Sequence, residues 1–344
     1  MDESQQKKVR KPMSAEAKAA AAAKRKTTLA AKALLGPEQQ KVKPTKIIVT
    51  NVADIDPFFN TSSRDGNDAA NKVREKVLSV ISAPPQEYLD DPVYGGKWNI
   101  LHKEWVRVMA VVAEQTGLVQ YTSTRVNMKG GRAANYDVDV MFYDGANLVA
   151  SRKIEFKYGG TNIDELAQFL SLQARIGMFP ETYDKFYYEN YIDQYLACDS
   201  GITEEKPTIQ VYLKNVPSIN YAITPFFAQL KSRELLFQDE KNAVVNRSIT
   251  DYLTKYGSQI DLQSFSEKLK STQADKIYLL WANEKFCLDK MFSTEMSDMA
   301  FHSIKNGNVL QIKSANSMYG LLLRWRNHKG VLNPAWQISV KRQT

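Results

Sequence analysis

Apolar positions along this chain change period several times, and the changes mark its elements. From Ala69 to Ile81, Val73, Val77, Leu78 and Ile81 recur at helical spacing, and Pro84-Pro85 and the Asp90-Asp91-Pro92 turn end that helix. Ile100 to Gln115 predicts a second helix, with Leu101, Trp105, Val108, Met109 and Val112 as its buried stripe and Gly117 as its cap. The period then falls to two. Leu118 to Val126 predicts a strand and Gly130-Gly131 a turn. Tyr136 to Tyr143 alternates polar and apolar residues, Asp144 to Asn147 supplies turn chemistry, and Leu148 to Tyr158 runs back. Residues 135–160 therefore predict an antiparallel hairpin, closed by Gly159-Gly160.

Ile163 to Ile176 predicts a helix through Ile163, Leu166, Leu170 and Ile176. Tyrosines 183, 187, 188, 191 and 195 fall near helical spacing, which favours core packing over base stacking. Thr208 to Asn215 predicts a strand and Tyr221 to Lys270 two or three helices. Ile277 to Trp281, Val309 to Ile312, Leu321 to Trp325 and Trp336 to Val340 predict further strands. The sum is an α/β fold, a mixed central sheet flanked by helices, with a β-rich C-terminal extension.

Charge divides the chain further. The net charge is +8, and residues 1–46, with 12 Lys/Arg against four Asp/Glu, carry all of it. Residues 299–344 hold seven Lys/Arg and no acid, so 47–298 stand at −7. Basic ends around an acidic middle point to a polyanionic partner. The expected organisation is a basic, disordered arm over 1–46 and a linker with one helix over 47–99. A catalytic core over 100–215 and a helical, then β-rich, nucleic-acid-contacting part over 216–344 follow. The arm, with Lys7, Lys8, Arg10, Lys11, Lys24, Arg25 and Lys26, serves equally well as a nucleic-acid contact, a nuclear address or a solubilising tail.

Two cysteines give neither a disulfide framework nor zinc spacing, and three histidines make no histidine-rich metal site. No run approaches the roughly 18 apolar residues of a membrane span. A soluble protein of a reducing interior is expected, without a membrane partner; nucleus, cytoplasm and a viral source all fit.

The hairpin carries the candidate chemistry. Asp137 and Asp139 share one face of its first strand, and Glu155 and Lys157 share one face of its second. Four acid-x-Lys triplets occur, but those at 16–18, 204–206 and 239–241 lie in a tail, a polar loop and a charged helical stretch. Only Glu155-Phe156-Lys157 lies on an apolar strand, with a strand-borne aspartate 16 residues before it. The bland alternative is a solvent-facing hairpin whose charges pair across strands, worth a few tenths of a kcal/mol per pair.

This arrangement resembles the PD-(D/E)xK nuclease superfamily over roughly residues 100–176, most closely the organisation of type II restriction endonucleases. Val138 stands where the motif has proline. The resemblance implies a restriction-endonuclease-like core with Asp139 and Glu155 as metal ligands and Lys157 as the catalytic lysine. Asp137 is the alternative ligand one pleat away, and Glu104 a helix-borne fourth candidate. It implies Mg²⁺, with Mn²⁺ as a substitute, held through hard oxygen ligands. It also implies sequence-specific cleavage of double-stranded DNA by a homodimer. Arg324, Arg326, Asn327, His328 and Lys329 would contact DNA, at base edges or at phosphates. Two other readings remain: a structure-specific or repair nuclease with the same site, and a non-catalytic DNA-binding protein.

Overall fold

Val52–Ile55 forms a single 3₁₀ turn with Asn51 as its N-cap: the Asn51 side chain accepts the Ala53 amide, and the Asp54 side chain accepts the Asn51 amide. Helix α1 (Asp56–Phe59) follows, burying Phe58 beside Ile55. The stretch expected as linker is therefore anchored to the core here. These coordinates come from a computed structural model describing residues 51–342 except 61–66, 119, 130–135, 167–169, 219, 274–275 and 290–297. The basic arm and the Gly130-Gly131 turn lie outside the described residues.

The fold is mixed α/β. Among the described residues it has ten helices and two five-stranded sheets. Helices α2 (Asn67–Val80), α3 (Gln86–Leu89) and α4 (Gly95–Gln115) precede the first strand. In α2, Val77 and Leu78 are fully buried, with Ile81 just beyond the helix. In α4 the whole predicted stripe is buried, and Trp98 extends it one turn earlier. That turn is open to Gly95 because a Cβ there would stand 2.5 Å from the Leu89 carbonyl oxygen. Gly117 ends the helix at φ +68°.

The first sheet has the order β1-β2-β3-β5-β6. Its strands are β1 (Ser123–Met128), β2 (Val138–Asp144), β3 (Asn147–Tyr158), β5 (Lys276–Ala282) and β6 (Lys285–Asp289). All pairings are antiparallel except β3 with β5, which run parallel from Lys153↔Lys276 to Tyr158↔Trp281. A parallel pair requires a crossover, and residues 159–275 supply it. The expected core over 100–215 thus draws two of its strands from 276–289. One sheet face, with Val138, Val140, Phe142, Ile154, Leu279 and Trp281, packs on Trp98, Trp105 and the rest of α2 and α4.

The second sheet, order β4-β10-β9-β8-β7, is wholly antiparallel. It comprises β4 (Leu170–Gln173), β7 (Ala300–Lys305), β8 (Val309–Lys313), β9 (Ser317–His328) and β10 (Leu332–Arg342). Its inner face packs on α5 (Tyr183–Asn190), α6 (Ile192–Ala197), α7 (Ile209–Asn215), α8 (Pro225–Ser232), α9 (Gln238–Tyr256) and α10 (Leu262–Gln273). The tyrosine run is core, as its spacing predicts: Tyr183 and Tyr187 bring their rings 5.8 and 4.9 Å from Trp325. Arg342 joins the sheets, pairing with Asp164 after β3 and with Asp289 on β6. Among the described residues no helix is long and apolar enough to cross a membrane.

Two elements differ from the sequence expectation. The helix predicted over 163–176 is a 3₁₀ turn (Ile163–Glu165) followed by β4. Leu170 and Leu172 both face the core, and β10 offers them a ladder that a helix would forgo. The strand predicted over 208–215 is α7 instead. Its β-rich sequence is overridden because Tyr212 and Val216, four residues apart, both bury in the tyrosine core.

Candidate active site

Hairpin β2–β3 forms as its sequence demands, with Asp139 opposite Lys153 and Val138 opposite Ile154. The ladder ends just before Asp137, whose own amide still donates to the Ile154 carbonyl at 3.1 Å. The side chain of Asp137 turns toward β3, and its Oδ2 accepts the Phe156 amide at 2.9 Å. N–H and C=O of a strand residue point to the same neighbour, so the Phe156 carbonyl also faces this end of β2. Across the gap stands Glu155, with Lys157 Nζ 2.6 Å from its Oε1.

Parallel β5 contributes a residue that sequence reasoning missed. Lys276 places Nζ 3.4 Å from Glu155 Oε2, and its side chain is only 2% exposed. Burial depresses its pKa, opposed mainly by the Glu155 charge. Tyr278, one pleat along β5, is buried, and that burial, with the charges of Glu155 and Asp137 added to it, holds its phenol above the usual range. Lys276 immediately precedes a strand legible in the sequence; what was not legible is that this strand runs parallel to β3.

Asp137 is the perturbed group of the cluster. Desolvation, then the facing Glu155 carboxylate, raise its pKa from the ordinary 3.8 to about 6, against Lys157 and the Phe156 amide. The Glu75 carboxylate of α2 adds to that repulsion. Glu75 is itself raised by desolvation, although its side chain is exposed to solvent along one edge. Its neighbour on α2, Arg74, is anchored. Arg74 stacks 3.5 Å from the Tyr158 ring centroid at the end of β3 and donates Nε to the Pro57 carbonyl.

The other sequence candidates are placed elsewhere. Asp139, expected as the first metal ligand, pairs with Lys129 at 3.2 Å, and the alternative Asp137 joins Glu155 instead. The ladder itself decides this: Asp139 opposes Lys153, and only the residue beyond the last rung can swing toward the Phe156 amide. Glu104 is bound by Arg107 at 2.7 Å and by the Phe286 amide on β6, two strands from β3. Glu104 thus lies away from Asp137 and Glu155, and the helix-borne carboxylate whose charge is felt at Asp137 is Glu75 of α2. Arg324 and Arg326 lie near the end of β9 on the second sheet, shortly before the turn that follows His328. His328 is held by Glu234 at 2.5 Å, and burial lowers the Lys329 pKa. The Asn327 side chain and Lys7, Lys8, Arg10, Lys11, Lys24, Arg25 and Lys26 lie outside the described residues.

No family model matches this chain, and no curated protein matches it in sequence. The site is therefore judged on its own chemistry. Two carboxylates face each other across neighbouring strands, and burial, then the charge of its neighbour, makes one of them resist ionisation. A hard divalent cation between them would relieve that repulsion, and carboxylate and carbonyl oxygens are its preferred donors. Among the described residues no three His, Cys, Asp or Glu side chains converge as a ready-made set. A cation here would take the rest of its shell from water, substrate and the Phe156 carbonyl, which suits Mg²⁺ and not zinc.

Proposed function

We propose that this chain is a Mg²⁺-dependent deoxyribonuclease that hydrolyses phosphodiester bonds in double-stranded DNA, with β2 and β3 as its catalytic strands. One observation carries the reading: Asp137 faces Glu155 across β2 and β3, with Lys157 bonded to Glu155. It supports the resemblance to the PD-(D/E)xK nucleases through Asp137, Glu155 and Lys157, with Glu75 as the helix-borne acid.

Asp137 and Glu155 would hold the metal ion, which would supply charge neutralisation at the phosphate and acidify a bound water. Lys157 needs no such help to act on substrate. Its ammonium, held 2.6 Å from Glu155 Oε1, would donate to a phosphate oxygen and orient the attacking water. Lys276, walled in beneath Glu155, is a positioning residue: it holds Oε2 of the carboxylate from the buried side, while Oε1 meets Lys157. The Phe156 amide fixes the Asp137 rotamer. Cutting both strands of a symmetric site requires two catalytic centres, so a homodimer is the proposed working form.

Plasmid DNA incubated with the protein and Mg²⁺ tests the reading. Discrete fragments support site-specific cleavage like that of a type II restriction enzyme. Terminal trimming would transfer the site to a repair-type nuclease. Absence of cleavage with either Mg²⁺ or Mn²⁺ would remove the enzymatic reading. Lys157→Ala should lower cleavage by at least about 100-fold, whereas Glu104→Gln should leave it unchanged.

A further inference from the structure

The five strands of the second sheet contain not one aspartate or glutamate. Their inner face is the tyrosine-lined core, and alternation sends every second side chain to the opposite face. The register Lys305↔Val309↔Leu322 and Lys313↔Met318↔Lys341 puts these positions on that open face, with Arg324 and Arg326 following along β9. It thus displays Lys305, Lys313, Arg324, Arg326 and Lys341, all exposed, with no carboxylate among them. Among the described residues none of Lys305, Lys313, Arg324 and Lys341 is ion-paired.

We propose that the open face of this sheet is a docking surface for the phosphate backbone of a nucleic-acid duplex, recognised by charge and not by base sequence. The inference stands without the hydrolytic reading, since it uses only the second sheet. Three observations lead to it. First, the two arginines are tied down along the sheet. Arg324 Nη1 donates to Gln337 Oε1 at 2.8 Å, and Arg326 Nη1 reaches across β10 to Ser171 Oγ at 3.0 Å. Guanidinium groups held against the sheet meet phosphates on its surface; they do not project into a groove to base edges.

Second, the cations stand at both ends of β9. Lys313 and Lys341 flank Met318, roughly 20 Å from Arg324 at ~3.3 Å per residue. One duplex can bridge that span. The centre is smooth, with Gly320 lying against Ser339, where a Cβ would come 2.9 Å from the hydroxyl. Third, the aromatic residues of these strands point inward: Tyr319, Trp325 and Trp336 are all buried. The face therefore offers neither platforms for unstacked bases nor the aromatic anchors of a membrane interface.

The test is fluorescence anisotropy of the full chain with labelled DNA and RNA duplexes, in EDTA to prevent hydrolysis, across a salt series. Affinity should fall linearly with log salt, and duplexes of scrambled sequence should bind equally. Arg324→Glu/Arg326→Glu and, independently, Lys313→Glu/Lys341→Glu should each weaken binding at least about tenfold and reduce the salt slope by about 1–2. Lys268→Glu/Lys270→Glu on α10, the same charge change elsewhere, should stay within about twofold of the parent. Circular dichroism confirms that each variant is folded, and the two sheet pairs keep the test alive if one is not. Preference for DNA or for RNA names the duplex; either supports the surface. The proposal is overturned if the sheet variants bind like the parent, if the α10 control loses as much, or if one sequence is strongly preferred. It is equally overturned if the sheet variants lose only binding to phosphatidylserine vesicles.

Discussion

Lys276 Nζ lies 3.4 Å from Glu155 Oε2, an ammonium sealed inside the protein against a carboxylate at the floor of the site. The pair ties β3 to a strand more than a hundred residues later in the sequence, and each charge depends on the other. Removing one partner of such a pair leaves an uncompensated buried charge, at a cost of about 3–5 kcal/mol. Glu155→Ala should lose stability of that order in urea unfolding. Lys276→Met should lose less than about 2 kcal/mol, because Lys157 still accompanies Glu155. The double variant should be more stable than Glu155→Ala alone, and an additive outcome would deny the coupling.

Asp137 should make stability fall with rising pH. Its pKa is about 6 in the folded chain against an ordinary 3.8, so the folded state holds a proton that the unfolded state has released. The contribution is complete below about pH 4 and is lost as pH rises through about 6. The full shift corresponds to about 3 kcal/mol, and solvent access at this half-buried position reduces the expected effect to about 1–2. Asp137→Asn should therefore gain that much over the parent between pH 4 and pH 7.5. A gap that does not change with pH would show that the carboxyl is not perturbed.

Divalent metal should reverse the same repulsion. At pH 7.5, Mg²⁺ at about 100 times its dissociation constant adds about 2.7 kcal/mol, a melting shift of about 5 °C for a chain of this size. Parent and Asp139→Asn should both show the shift, and Asp137→Asn should not. A shift lost in Asp139→Asn and kept in Asp137→Asn would return the ligand role to Asp139.

Arg74 should matter although it touches none of the reacting groups. Its stacking on Tyr158 and its bond to the Pro57 carbonyl fix α2 against β3. Arg74→Ala should cost about 2–3 kcal/mol in urea unfolding and lower cleavage by displacing Glu75. Arg74→Lys keeps the charge but loses the planar stack and fork, so it should recover only part of either loss. Cleavage unaffected by Arg74→Ala would mean that Glu75 has no part in the site.

Local pattern by itself determined the hairpin, the long helix with Leu101, Trp105, Val108, Met109 and Val112 inward, and the β-rich end. These are elements whose period is long and uninterrupted, so propensity and burial agree. It also determined that Glu155 and Lys157 share a face, since side chains of a strand alternate with period two; that they meet was shown by the structure. Tertiary structure decided the remainder. Leu170 and Leu172 became a strand because β10 lay open beside them, and Tyr212 with Val216 became helical because both had one core to fill. Which aspartate stands against Glu155 turned on where the β2–β3 ladder stops, and Lys276 came beside Glu155 through a parallel pairing across a long crossover. Partners so distant in sequence leave no periodic trace in it, because their proximity is fixed by packing and not by the local repeat of the backbone.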